Sequence, residues 1–161
     1  MFITFEGIEG CGKTTQIRLL SEYLKERGLD CITTREPGGT DIGEAIRGIF
    51  LHCDHDDIQP ITELLLVTAA RAQHVAQVIK PQLQAGKIVL CDRYFDATVA
   101  YQGAASGLDI ESIMQSHKIF IDSLMPDLTI LIDCAVEIGL KRSRERNLDT
   151  GRQKSWGPSY C

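Results

Sequence analysis

The sequence predicts an α/β fold in which a parallel sheet carries helices on both faces. Four segments have strand composition and are continuously apolar: 2–5, 31–34, 88–91 and 128–132. Continuous apolar runs are typical of strands that are buried on both faces of a parallel sheet. Helical patterns separate the four segments, as crossover connections between parallel strands require. With 161 residues, the chain is long enough for one domain with its own core.

The first strand leads into a loop with the phosphate-binding pattern of a glycine, four free positions and Gly-Lys-Thr. Its residues are Gly7, Ile8, Glu9, Gly10, Cys11, Gly12, Lys13 and Thr14, and Thr15 follows them. Glycines let backbone amides point at phosphate oxygens, and the start of the next helix adds positive potential. Lys13 would then reach the β- and γ-phosphates, and the Thr14 hydroxyl would bind Mg²⁺. We therefore expect ATP and Mg²⁺ as cofactors; the alternative is a glycine-rich turn with an incidental lysine.

Helix boundaries follow from apolar periodicity and from glycine or proline at the ends. We predict helices over 15–27, from 41 onward, over 61–83, over 109–124 and over 135–146. The helix over 61–83 has more apolar residues than one sheet face can cover, which leaves open burial in the monomer or pairing with a second copy. These residues include Leu64, Leu65, Leu66, Val67, Val75, Val78 and Ile79.

Composition excludes several classes of partner. The net charge is −5 and the pI about 5.3, so we expect no nucleic-acid partner bound through bulk charge. No apolar run approaches membrane-spanning length, and no charged-then-apolar leader opens the chain. We therefore expect a cytoplasmic protein with no membrane partner.

The six cysteines do not form a C-x-x-C pair, and a disulfide framework is not expected. Cys11 lies among inward-pointing amides beside Lys13, a setting that can lower a thiol pKa. For Cys11, the favoured interpretation is a small residue that fills a loop position, and a redox role is the alternative.

Residues 52–57 (His-Cys-Asp-His-Asp-Asp) are all of types that can bind a metal, but their spacing favours a solvated loop over a metal site.

The strand over 88–91 ends in Asp92 and Arg93. In proteins with a phosphate-binding loop, such a strand lies beside the first one, and its carboxylate comes near the bound Mg²⁺. Asp92 is therefore the candidate for binding a metal-bound water or acting as a base. The Arg93 guanidinium would clamp a phosphate with two hydrogen bonds. The alternative is an aspartate that caps the strand and an arginine on the surface.

Other basic residues are candidates for binding phosphate groups. Arg35 follows the second strand, at the sheet edge where ligands bind. Arg71 lies in an apolar helical stretch and needs an anionic partner, either a core carboxylate or a substrate phosphate. A late basic cluster is either a solvated helix face or a lid that closes over transferring phosphates. Its members are Lys141, Arg142, Arg144, Arg146 and Arg152.

Together these motifs resemble the thymidylate kinase family, from Met1 to about Arg152. The loop with Glu9 is one matching piece, and the others lie over 35–40, 69–74, 92–94, 100–103, 126–129 and 140–142. The bacterial branch is implied, because Gly10 stands where other members have an arginine and the lid would supply it. We expect a P-loop nucleoside monophosphate kinase domain over 1–154, with the three-layer fold of that class, and a non-matching tail over 155–161.

The resemblance implies phosphoryl transfer from ATP to dTMP, which gives dTDP, and a homodimer that pairs through the helix over 61–83. Arg35, Arg71 and Arg93 would hold the dTMP phosphate. Thr98, Gln102 and Arg71 would face the base, and Tyr101 would lie against C2′ of the sugar. Glu9 would hold the 3′-hydroxyl. Lys13 with the lid arginines Arg144 and Arg146 would neutralise the transferring phosphoryl.

Two departures from the family pattern affect these expectations. Val67 stands where many members have a phenylalanine that stacks on thymine, so base binding is expected to be weaker. The tail does not continue into the family's acidic helix, last core strand and final helix, so we expect the last strand to be missing and the 161-residue form to be a poor enzyme. The alternatives are a truncated nucleotide-binding relative with little turnover and a kinase for another nucleoside monophosphate.

Overall fold

The computed structural model describes residues 1–52 and 58–150, with side chains in the same ranges except at 52 and 146–150. Four parallel strands lie in this part of the chain: β1 (Phe2–Glu6), β2 (Cys31–Arg35), β3 (Ile88–Asp92) and β4 (Leu128–Leu131). All four predicted strands are confirmed to within one residue at each end. The predicted tail, Arg152 and residues 53–57 of the candidate metal segment lie outside the described residues, as do the side chains of His52 and Arg146.

The helices are α1 (Lys13–Glu26), α2 (Asp41–His52), α3 (Pro60–His74), α4 (Lys80–Gln84), α5 (Phe95–Thr98), α6 (Ile110–Phe120) and α7 (Val136–Thr150). The predicted helix over 61–83 is confirmed as α3 and α4, which a π-helical turn over Val75–Ile79 joins. Helix α6 begins where predicted, because the Asp109 side chain accepts from the backbone amide of Ser112. It ends earlier than predicted, since Asp122 and Ser123 adopt positive φ angles of 51° and 53°.

One helical segment was not predicted. Helix α5 continues through a π-helical stretch over Val99–Ala105, and the sequence there lacks a clear apolar period. Phe95, Thr98 and Gln102 are buried along it, so packing against the core stabilises the segment in place of amphipathic patterning.

The strand order in the sheet is β2-β3-β1-β4. Strand β1 pairs with β3 in a register that sets Phe5 opposite Asp92, which confirms the predicted neighbour of the first strand. Strand β3 pairs in turn with β2, with Arg35 opposite Asp92. Because the strands are parallel, the loops that follow β1, β2 and β3 meet at one edge of the sheet.

Helices cover both faces of the sheet, as predicted. On one face Phe2, Val89 and Cys91 pack against residues of α2, α3 and α6, among them Phe50, Leu64 and Ile113. On the other face Ile3, Phe5 and Leu90 pack against Ile17 of α1. These two apolar layers hold the sheet in place. The candidate site lies at the edge of the sheet where the loops after β1, β2 and β3 meet.

Within the described residues, β4 is an edge strand that pairs only with β1. Its side chains are more exposed than those of the inner strands, and Leu131 is 70% exposed.

Across residues 1–52 and 58–150, no helix combines the length and the apolar character needed to cross a membrane.

Candidate active site

The loop between β1 and α1 needs glycine at three positions. Gly7, Gly10 and Gly12 have φ angles of 138°, 74° and 106°. Residues that carry a Cβ rarely adopt such positive φ angles. Gly10 also packs against the first turns of α7, where an added Cβ would collide with the carbonyl oxygen of Gly139. The glycines of the sequence motif are therefore required by the backbone of this loop.

Lys13 folds back over its own loop. Its Nζ donates to the carbonyl oxygens of Gly7 and Ile8 at 2.9 and 2.8 Å, and it lies 3.6 Å from the Cys11 Sγ. Burial lowers the pKa of Lys13, and the nearby positive charge of Arg93 lowers it further. The buried Cys11 thiol is free, so the choice between a filling role and a redox role stays a prediction.

Thr14 and Asp92 come together as predicted. The Thr14 hydroxyl donates to Asp92 Oδ2 at 3.0 Å. No group of three or more His, Cys, Asp or Glu side chains suited to a metal occurs among the residues that the structure describes. A hydroxyl and one carboxylate nevertheless fit Mg²⁺, which usually takes its remaining ligands from phosphate oxygens and waters. Thr14 and Asp92 are therefore suited to hold Mg²⁺ together with a bound nucleotide.

The turn after Asp92 is tied to β1 by two consecutive amides. The Arg93 amide donates to the Phe5 carbonyl at 3.0 Å, and the Tyr94 amide donates to the Glu6 carboxylate at 2.7 Å. Arg93 itself has a φ of 69°, which is unusual for a residue with a side chain. Burial raises the pKa of Glu6 to about 7. Sequence reasoning missed Glu6, because it looks like the ordinary last residue of a strand.

A pocket opens beside Arg93, between α3 and the segment over 94–102. Its lining includes six of the predicted substrate residues: Val67, Arg71, Arg93, Thr98, Tyr101 and Gln102. Glu36, Pro37, Tyr94 and Ala97 complete the lining. Glu9 and Arg35, which the resemblance also assigned to the substrate, do not line it.

Arg71 is held by a buried hydrogen-bond network. Its Nε donates to Glu36 at 2.6 Å, and its Nη2 donates to the carbonyl of Tyr94 at 2.9 Å and the hydroxyl of Thr98 at 2.8 Å. The second carboxylate oxygen of Glu36 lies 2.9 Å from His74 Nδ1. The partner of Arg71 is thus a core carboxylate, one of the two partners that the sequence left open. Glu36 and His74 were missed, although His74 follows Arg71 by three residues and shares its helix face.

Gln102 and Tyr101 reach the pocket from the π-helical stretch. Gln102 is 1% exposed, and its Nε2 has no hydrogen-bond partner within the described part of the chain. The Arg93 guanidinium lies 5.3 Å from the centre of the Tyr101 ring. Gln102 therefore offers a donor to a bound molecule, and Tyr101 helps to orient Arg93.

Three predicted residues lie elsewhere. Arg35 forms an ion pair with Glu44 of α2, at 2.9 Å between Nη2 and Oε2, and the two side chains are 53% and 42% exposed. Glu9 is half-buried in the loop, where its carbonyl oxygen faces Gly139. Arg144 is exposed on α7, which is compatible with both interpretations of the basic cluster. The assigned roles of these three residues stay predictions.

The family model for thymidylate kinase matches residues 5–156. The chain belongs to the thymidylate kinase family. It is 56% identical to a thymidylate kinase of Geotalea uraniireducens and 57% identical to one of Geotalea daltonii, in each case over 145 residues that make up 90% of this chain and 68% of the relative.

A solved structure extends the likeness to the fold. The crystal structure of thymidylate kinase from Ehrlichia chaffeensis superimposes with a TM-score of 0.78 at 41% identity, covering 95% of this chain and 81% of that one. The predicted family, its phosphotransferase class and the α/β fold of P-loop kinases are therefore confirmed. The division into residues 1–154 and a tail stays a prediction.

Proposed function

We propose that this chain transfers the γ-phosphoryl group of ATP to dTMP and releases dTDP. The observation that carries the proposal is the turn at Asp92 and Arg93. The Asp92 carboxylate bonds to Thr14 of the phosphate-binding loop, and the next residue, Arg93, lines the pocket. A donor phosphate in the loop and an acceptor phosphate at Arg93 would therefore meet at the end of β3.

On the donor side, the loop amides and Lys13 would bind the phosphates of ATP. Lys13 would exchange the carbonyl oxygens of Gly7 and Ile8 for phosphate oxygens, a short movement of a group that is already in place. Mg²⁺, held by Thr14 and Asp92, would supply positive charge to the transferring phosphoryl. Arg144 and Arg146 of α7 are proposed to add to that charge.

On the acceptor side, Arg93 would hold the dTMP phosphate, with Arg35 and Arg71 as further candidates. Nε and Nη2 of Arg71 are already hydrogen-bonded within the protein. The guanidinium group would therefore be held in a fixed orientation toward the ligand. Val67, Thr98 and Gln102 would surround the base. Tyr101 would lie against the sugar, and Glu9 would hold the 3′-hydroxyl.

The proposed chemistry is positioning and electrostatic stabilisation. The phosphate oxygen of dTMP attacks the γ-phosphorus, the bond to the β-phosphate oxygen breaks, and ADP leaves. No protein nucleophile is required, and the charged groups converge on the transferring phosphoryl from both sides.

The substrate test measures ADP release with dTMP, dUMP, dCMP, UMP and thymidine. We expect dTMP to be used and thymidine to be rejected, because arginine–phosphate hydrogen bonds are charge-assisted and their loss is felt strongly. A preference for thymidine would contradict a monophosphate acceptor. ATP binding without turnover of any acceptor would favour the alternative of a nucleotide-binding relative, and turnover of another monophosphate would change the named substrate.

A homodimer is the second part of the proposal. Of the apolar residues over 61–83, Leu64, Val67, Val75 and Ile79 are buried within the monomer, but Leu65 is 60% exposed. Ile61 and, on the neighbouring α2, Ile42 are also more than half exposed. Exposed apolar side chains on two helices that pack together are the kind of side chain that a two-fold interface would cover. Light scattering should show a dimer at micromolar concentration, and Leu65→Glu should shift it toward monomer; a wild-type monomer would contradict the proposal.

The cytoplasmic location and the absence of a nucleic-acid partner, both expected from composition, stay predictions.

A further inference from the structure

We infer that Glu6 is a positioning residue that holds Arg93 in the acceptor pocket by binding the backbone amide of Tyr94. Glu6 is the last residue of β1 and directly precedes Gly7 of the phosphate-binding loop. Its carboxylate accepts from the Tyr94 amide at 2.7 Å in a buried setting. One side chain therefore connects the start of the donor loop to the turn that carries Arg93.

The turn needs such a connection, because Arg93 is in the left-handed region with a φ of 69°. Residues with a Cβ adopt that region only where the surroundings hold them in it. The Arg93 amide is held by the Phe5 carbonyl and the following amide by the Glu6 side chain. Two consecutive residues of β1 thus restrain both peptide groups that set the direction of the Arg93 side chain.

The carboxylate of Glu6 is placed where an unpartnered acid would be unfavourable. It is 5% exposed, and the charged groups that act on it are Arg93, Asp96 and Arg71. Burial raises its pKa to about 7. Acidic side chains are almost never buried unless they are paired, and within residues 1–52 and 58–150 the hydrogen-bond partner of the Glu6 side chain is the Tyr94 amide.

This inference rests on the proposed function for its catalytic consequence, because Arg93 matters as a phosphate ligand. Displacing a substrate-positioning group by about 1 Å can cost up to about 10²-fold in rate. We expect Glu6→Ala to raise the KM for dTMP about tenfold and to leave the KM for ATP within about twofold of wild type. Glu6→Gln keeps an acceptor oxygen and should restore the wild-type KM for dTMP.

Thr4→Val is the matched control. Thr4 is buried on the same face of β1, and its hydroxyl bonds to the Thr129 hydroxyl of β4, whereas the amides of Arg93 and Tyr94 bond to Phe5 and Glu6. It should leave both KM values unchanged. Glu6→Leu fills the space without an acceptor and covers the case in which Glu6→Ala does not fold.

The deciding measurement is amide hydrogen exchange at Tyr94, with Leu90 inside β3 as the internal reference. Glu6→Ala or Glu6→Leu should accelerate exchange at Tyr94 about tenfold or more over Leu90, because the acceptor is lost. Unchanged protection at Tyr94 would overturn the inference, whether or not the chain turns over dTMP. Failure of the wild type to use dTMP would instead overturn the proposed function and leave the exchange result to decide the role of Glu6.

A double-mutant cycle tests the route through Arg93. In an Arg93→Ala background, Glu6→Ala should cause no further rise in the KM for dTMP, because the group that Glu6 positions is gone. Independent, multiplicative effects of the two changes would show that Glu6 does not act through Arg93.

Discussion

The hydroxyl of Thr14 and the carboxylate of Asp92 are joined by a 3.0 Å hydrogen bond across 78 residues of sequence. The contact exists because β1 and β3 are parallel neighbours, with Phe5 opposite Asp92. The loop after β1 and the last residue of β3 therefore share one edge of the sheet. The same pair of oxygens is suited to bind the divalent ion that accompanies a nucleotide.

Asp92→Asn should change the dependence of turnover on Mg²⁺. The amide keeps the shape of the side chain but removes its charge, so we expect the Mg²⁺ concentration for half-maximal rate to rise by about 10–100-fold. Asp96→Asn alters an exposed side chain four residues after Asp92 and should have little effect on the Mg²⁺ dependence. Identical Mg²⁺ titrations for Asp92→Asn and wild type would show that Asp92 does not contribute to the ion site.

Lys13→Ala should reduce the rate of phosphoryl transfer by about 10²–10⁴, the loss expected for one electrostatic stabiliser of the transition state. Lys25→Ala is a fitting control, because Lys25 lies on the same helix and is exposed. Both variants would be compared with wild type in single-turnover assays at saturating ATP. Normal turnover without Lys13 would refute the assignment of the phosphate-binding loop.

Arg71→Met should destabilise the fold by about 3–5 kcal/mol, because it leaves the Glu36 carboxylate buried without its cation. Arg18→Met provides the contrast, since it breaks an exposed ion pair with Glu22 and should cost less than about 1 kcal/mol. Urea denaturation gives both free energies of unfolding. Equal losses for the two variants would mean that the Arg71–Glu36 pair contributes no more than a surface pair.

Val67→Phe should strengthen dTMP binding by roughly 0.5–1.5 kcal/mol, because Val67 lines the pocket and an aromatic ring there would stack on the base. Val67→Leu adds volume without an aromatic face and should not give this gain. Calorimetric titration with dTMP measures both. Weaker binding by Val67→Phe, with a normal melting temperature, would show that the pocket has no room for a stacking ring.

Glu6 should make stability fall as pH rises from about 4.5 to about 7. Its pKa is raised to about 7 in the folded state, chiefly by burial, from an ordinary value of 4.5. The folded protein therefore keeps a proton in this window that the unfolded chain releases, and the stabilising contribution, fully present below pH 4.5, is lost as pH passes 7. Each pKa unit is worth about 1.4 kcal/mol, so the contribution amounts to about 3 kcal/mol at most.

Glu6→Gln removes this titration and keeps an acceptor for the Tyr94 amide. The free energy of unfolding of Glu6→Gln minus that of wild type should therefore increase between pH 4.5 and 7.5. Thermal or urea unfolding at several pH values measures the difference. If this difference does not change with pH, the pKa of Glu6 is the same in the folded and unfolded protein, and the prediction is wrong.

The sequence by itself determined the strands, most of the helices, the loop from Gly7 to Thr14 and the pairing of Asp92 with that loop. These features depend on local signals. Continuous apolar runs encode buried parallel strands, and glycines at fixed spacing encode a backbone that only glycine adopts easily. Once the first strand and the strand over 88–91 are neighbours in a parallel sheet, their carboxyl ends must meet.

Only the tertiary structure decided which side chains share a partner. Arg71 bonds to Glu36 across 35 residues, Glu6 bonds to the Tyr94 amide across 88, and Arg35 turns to Glu44 instead of the pocket. The segment over 95–105 is helical although its sequence carries no amphipathic period. The three pairings are set by which charged or polar groups the packed strands and helices bring within about 3 Å of each other, because hydrogen bonds and ion pairs depend on that distance. The helical segment depends instead on the packing of Phe95, Thr98 and Gln102 against the core. No periodicity or spacing along the chain encodes it.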